Sequence, residues 1–159
     1  MRRSSRRICL SLIVTLLASA AVAQGASASA RPQSGSGTLY LSPPQELLWS
    51  RQIGPDHLAS ESGTLKFTGG TIVGTGTITV TAFIPPSGAE TYVATWSSTA
   101  TVNGRSGTLS MFFQGTDNGQ YAGHFVALGS GGLAGLRGYG AYSGMDQTGT
   151  GTYTVQFTD

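Results

Sequence analysis

Thr91-Tyr92-Val93-Ala94-Thr95-Trp96-Ser97-Ser98-Thr99-Ala100-Thr101-Val102-Asn103-Gly104 decides the fold of this chain. Tyr92, Ala94, Trp96, Ala100 and Val102 fall on one parity, and Thr91, Val93, Thr95, Ser97, Thr99 and Thr101 on the other. A period of two belongs to a strand, whose side chains point alternately to its two faces. Threonine suits the wetter face, because its branched carbon favours extended backbone while its hydroxyl tolerates water. Asn103-Gly104 then supplies the two positive-φ residues of a tight hairpin turn, so the next strand runs back antiparallel.

The same grammar extends in both directions. Thr71, Thr75, Thr77, Thr79 and Thr81 oppose Ile72, Ile78, Val80 and Ala82, and Asn118-Gly119 repeats the hairpin signal. Short Gly-Thr units open strands at Gly37, Gly63, Gly76, Gly107 and Gly151, without the fixed period a solenoid requires. Pro43-Pro44, Gly54-Pro55-Asp56 and Pro85-Pro86-Ser87-Gly88 mark loops. Strand-like runs fall near 37–41, 46–53, 61–69, 71–83, 90–102, 105–115, 120–129, 133–142 and 149–157, the second being the weakest. Sequential hairpins without helical periodicity predict an all-β fold, a single antiparallel closed β-barrel of about eight strands, since closure removes the free edges of so polar a sheet.

The N-terminus has another purpose. Arg2, Arg3, Arg6 and Arg7 precede an apolar stretch from Ile8 to about Ala23, followed by small-residue sites ending at Ala23 and Ala30. This is the order of a secretory signal peptide, so residues 1–30 are expected to be removed, with cleavage after Ala23 or Ala30. Ser5-Arg6-Arg7 also suits twin-arginine export. Residues 31–36 read as a flexible linker and 37–159 as the barrel domain, secreted to the extracellular side. The stretch is too short for a bilayer span, so no stable membrane insertion is expected.

Cleavage changes the chemistry available. The lone cysteine, Cys9, leaves with the leader, so the mature domain has neither a disulfide nor a thiolate nucleophile. Five basic residues then face seven acidic ones, a formal −2, and the scattered positives form no patch for nucleic acid. There is no cofactor motif, and two histidines without a supporting pattern make no metal site.

Residues 129–139 read Gly-Ser-Gly-Gly-Leu-Ala-Gly-Leu-Arg-Gly-Tyr. This resembles the glycine-rich strand of the allene oxide cyclase and dirigent-type barrels, with Gly129, Gly131, Gly135 and Gly138 in register and Leu133 where those families favour phenylalanine. The stretch 104–140 looks closest to an uncharacterised bacterial family of the same barrel superfamily. Glycine there has a structural reason, since strands that cross closely exclude side chains. The resemblance implies a lumen that binds a small, largely apolar organic molecule, with cofactor-independent cyclase or isomerase chemistry by confinement. It also implies dirigent-like steering of a reaction driven by another enzyme as an alternative, and allows a homo-oligomer.

Three residues are candidates for chemistry. Arg137 is expected mid-strand, where a lumenal guanidinium would hold a carboxylate, enolate or phenol oxygen; the competing reading is an outward, solvated arginine. Glu61 begins a strand and would polarise a substrate at the barrel mouth if desolvated, or else is a solvated strand end. His124 shares a face with Ala122, Val126 and Leu128, and reads either as an acid–base group or as a hydrogen-bonded core residue. Trp96, Tyr92 and Tyr139 are candidate ligand-stacking groups, and parity allows at most one of Phe112 and Phe113 to point inward. The second functional class is a non-catalytic extracellular module that recognises carbohydrate or a surface partner through exposed Tyr and Trp.

Overall fold

The computed structural model describes residues 32–159; the expected signal peptide, its two expected cleavage points and Arg31 lie outside them. Eight strands follow in order: β1 Gln33–Ile53, β2 Asp56–Gly70, β3 Ile72–Ile84, β4 Glu90–Val102, β5 Arg105–Asp117, β6 Gln120–Ser130, β7 Arg137–Met145 and β8 Thr150–Thr158. Each pairs antiparallel with the next, and β8 returns to β1, which closes the barrel. Alternation therefore has its full consequence: one face of every strand is interior and the other meets solvent.

The first two expected strands are one. β1 runs 21 residues, pairing with β8 from Gln33 to Tyr40 and with β2 from Gly37 to Ile53. Its register on β2 shifts between Ser42 and Glu46 without ending the strand, and the side chains of Pro43-Pro44, expected to mark a loop, lie outside the described ones. The expected linker is likewise partly strand, because Gln33 to Ser36 pair with Phe157 to Thr154.

One end of the barrel is filled. Phe67 packs edge-on to Trp96 and Tyr153, with ring centroids 5.2 and 5.3 Å away. Ile72, Val102, Leu109, Phe125 and Phe157 complete this packed half, all buried. The polar atoms of the two large rings are used: Trp96 Nε1 donates to the Leu65 carbonyl at 3.2 Å, and Tyr153 Oη accepts the Ile72 N–H at 2.7 Å.

The glycine-rich segment closes that end, in a way the alternation did not predict. It is not a continuous strand from 133; Gly131–Leu133 form a 3-10 turn, and β7 begins at Arg137. Gly131 and Gly135 take φ of +62° and +90°, the left-handed region that excuses them from bearing a Cβ. Gly129 and Gly138 serve close approach instead: a Cβ on Gly129 would run into Leu133, and one on Gly138 would sit 2.6 Å from the Phe157 ring. The fold they allow drops Leu133 and Leu136 into the barrel end as a plug, 0 and 6 % exposed.

Candidate functional site

The other end is open. Inward positions there are small or aliphatic, with Ala59, Ala82 and Ala94 where the packed half has rings, and they leave a cavity of about 440 Å³. Its floor is apolar, formed by Leu39, Leu65, Ile78 and Phe113, and its upper wall carries Leu41, Val80 and Ile84. Above this come three phenols, Tyr92, Tyr121 and Tyr142, and a rim of four carboxyls, Glu61, Glu90, Asp117 and Asp146.

The phenols are held by one another and by the backbone. Tyr142 donates to Tyr92 Oη at 2.8 Å, with the Gln114 carbonyl at 3.2 Å as an alternative acceptor, and Tyr121 donates to the Gly149 carbonyl at 3.1 Å. A Tyr92 that accepts from Tyr142 keeps its own hydroxyl proton for a partner in the cavity. Burial pushes the Tyr121 and Tyr142 phenols up to about 12, and burial with the Tyr142 hydrogen bond pushes Tyr92 up further. All three therefore act as neutral phenols at ordinary pH.

The carboxyls come from three strands and a turn. Glu90 opens β4 and lies in register opposite Asp117, the last residue of β5. Glu61 lies on β2 opposite Val80, and Asp146 stands in the 3-10 turn between β7 and β8. Burial holds the Glu90 carboxyl above the ordinary carboxylate range, reinforced by the charges of Asp117, Glu61 and Asp146. Asp117 is also raised by burial, an effect opposed by the Gly119 N–H that donates to it at 2.8 Å.

Of the sequence candidates, the structure brings Glu61 and Tyr92 into this site. Trp96 is interior but below it, 2 % exposed and packed on Phe67. Arg137, His124 and Tyr139 lie on the outer wall. Arg137 is the first residue of β7 at the plugged end, exposed, and shares no face with Leu133, which the turn carries into the core. His124 is neither lumenal nor core: its face of β6, with Ala122, Val126 and Leu128, is the exterior one. Its Nδ1 is 3.1 Å from Tyr139 Oη, and the two rings stack at 5.7 Å. Phe113 is the inward member of its pair, with Phe112 44 % exposed outside.

Sequence reading missed Glu90, Asp117, Asp146, Tyr121 and Tyr142. Glu90 shares parity with Tyr92 and Ala94, and Asp117 with Phe113, which is the signal that places both inward; Asp117 lies two residues beyond the expected end of its strand at 115. Among the described residues no three His, Cys, Asp or Glu side chains converge to hold a metal ion, and no helix is long and apolar enough to cross a membrane.

Residues 54–157 match the family described as protein of unknown function, DUF3224. The chain belongs to the DUF3224 family. A DUF3224 protein of unknown function from Shewanella oneidensis MR-1 has a similar solved structure, at 21 % identity and a TM-score of 0.66, covering 80 % of this chain and 96 % of that one. At that identity the likeness speaks for the fold. No curated protein matches the chain.

Proposed function

We propose that this DUF3224 barrel is exported from the cell and binds a small, largely apolar organic molecule in its open half. The observation that carries the reading is the 440 Å³ cavity, apolar at its floor and ringed by phenols and carboxyls at its mouth. That volume falls within the range of roughly 300–1,000 Å³ typical of small-molecule sites, whose apolar lining carries convergent polar groups. The resemblance of residues 129–139 to allene oxide cyclase and dirigent-type barrels points the same way. A cyclase or isomerase reaction in this lumen would work by confining one conformer of the ligand, with the Tyr92 hydroxyl as a hydrogen-bond donor to it and the Glu61 carboxyl on the rim above.

The test uses the fluorescent apolar probe N-phenylnaphthylamine, together with mass spectrometry of solvent extracts from protein secreted by its native host. Saturable one-site binding is expected, lost in Ala82→Phe, which fills the cavity wall, and unchanged in Arg137→Ala on the outer wall. Probe binding that survives Ala82→Phe would move the site outside the barrel. A second reading would then take over, since Phe112, Val126 and Tyr139 are register neighbours on the outer sheet and expose 44, 45 and 57 % of their surface. That surface suits an external carbohydrate or protein partner, or a second copy of the chain.

A further inference from the structure

We propose that the ligand of the open half is a cation: an apolar molecule carrying an amine or quaternary ammonium group, its head at the Glu90–Asp117 pair and its body on the apolar floor. The inference rests on the lumen reading above and names the chemistry that site selects.

Charge placement is the first ground. The strand register sets Glu90 directly across from Asp117, both half-buried in the cavity wall, with Glu61 and Asp146 on the same rim. Like charges directly opposite on a sheet are destabilising, and an ordinary sheet offsets or avoids them. Here nothing in the described residues does so. Arg105 pairs with Asp159 at 2.9 Å, at the plugged end; Arg137 is exposed at that same end. Lys66 and Arg51 are exposed on β2 and on the projecting part of β1, and His57, in register with Ile84, does not line the cavity. Four of the seven acidic residues in 31–159 therefore meet at one mouth, with no basic side chain among them.

The cavity beneath supplies the second ground. A rim of one sign over a low-dielectric, apolar recess focuses its field on whatever enters. An anionic head is repelled at the entrance, which is specificity by exclusion. A cation gains the carboxylates and meets the rings of Tyr92, Tyr121 and Tyr142, whose faces attract positive charge. The apolar floor would take the remainder of such a molecule and could not take a hydrated metal ion.

The experiment compares three eight-carbon probes by titration calorimetry on the purified protein: octyltrimethylammonium, octanol and octyl sulfate. Octyltrimethylammonium is expected to bind about tenfold or more tightly than octanol, octyl sulfate to bind most weakly, and added salt to shrink the difference. Glu90→Gln combined with Asp117→Asn, which keeps size and the Gly119 contact, should remove the preference and leave octanol affinity in place. Equal affinity for the cation and octanol, or a preference that survives the double variant, overturns the cation inference while the lumen reading stands. If none of the three binds, both fall.

Discussion

Replacing Glu90 by glutamine should make the protein more stable at neutral pH. Cross-strand partners hold their Cβ atoms about 4.5–5.5 Å apart, so Glu90 and Asp117 face each other across β4 and β5 at close range. Two unit charges at about 5 Å in an effective dielectric of 20 repel by about 3 kcal/mol. Both side chains are only half-buried, at a mouth open to water, and screening cuts that to about 0.5–1 kcal/mol, or about 2–4 °C in melting temperature for a domain of this size. The pH dependence follows from the direction of the shift. The Glu90 carboxyl is raised in the folded protein by burial and by its acidic neighbours, and in the unfolded chain it is ordinary. Its contribution is therefore favourable when protonated, intact below the ordinary carboxylate range, and lost as pH rises through the raised value. Thermal unfolding of wild type and Glu90→Gln by circular dichroism at about pH 7 and pH 3.5 reads both halves, since carboxyls protonate between. The gain should be present at the first and gone at the second. A variant less stable at neutral pH, or a gain that persists in acid, would refute the repulsion.

Two further substitutions probe the packed half. Tyr153→Phe removes the acceptor of the buried Ile72 N–H, a 2.7 Å bond from β8 to the start of β3; leaving that donor unpaired should cost about 1–3 kcal/mol in urea unfolding, and a loss below ~0.5 kcal/mol would mean the N–H finds another partner. Leu133→Ala empties the plug at a fully buried position and should cost about 2–5 kcal/mol, while octanol binding at the open end stays as in wild type if the two halves are independent.

The barrel was legible because it is a consequence of parity and turns, both local. Asn103-Gly104 and the threonine faces of β3 and β4 suffice to set the antiparallel order, and their inward and outward sides are as read. The position of the site was less legible for two physical reasons. On β6 both parities are apolar, Tyr121, Phe125 and Ala127 inside against Ala122, Val126 and Leu128 outside, so alternation alone could not give His124 its side. The depth of an inward residue along the barrel axis depends on register accumulated around eight strands. Trp96 and Tyr92, four residues apart on one face, thus end in the packed half and at the mouth respectively. Arg137 opens β7, exposed as its outward reading has it, rather than standing mid-strand, for a third reason: the plug interrupts the strand, and positive φ at Gly131 and Gly135 looks, in sequence, the same as glycine chosen for close crossing.

The asymmetry of the interior is itself informative about selection. One half is filled by Phe67, Trp96, Phe125, Tyr153 and Phe157 to full burial, and sealed by Leu133 and Leu136. The other half has alanine at Ala59, Ala82 and Ala94 on the inward face, and beside the Tyr142–Tyr92 contact it leaves a cavity of about 440 Å³. Residues 32–159 contain no cysteine and so no disulfide; burial and backbone pairing hold the barrel, and larger aliphatic residues at the three alanines would add to its stability. The like-charge pair at the mouth subtracts further. A cavity and a repulsion, both costly and both at the same end, are hard to explain as by-products of folding. The proposed function joins the two: one end maintains the structure, and the other stays open for a ligand that would supply the missing packing and the missing charge.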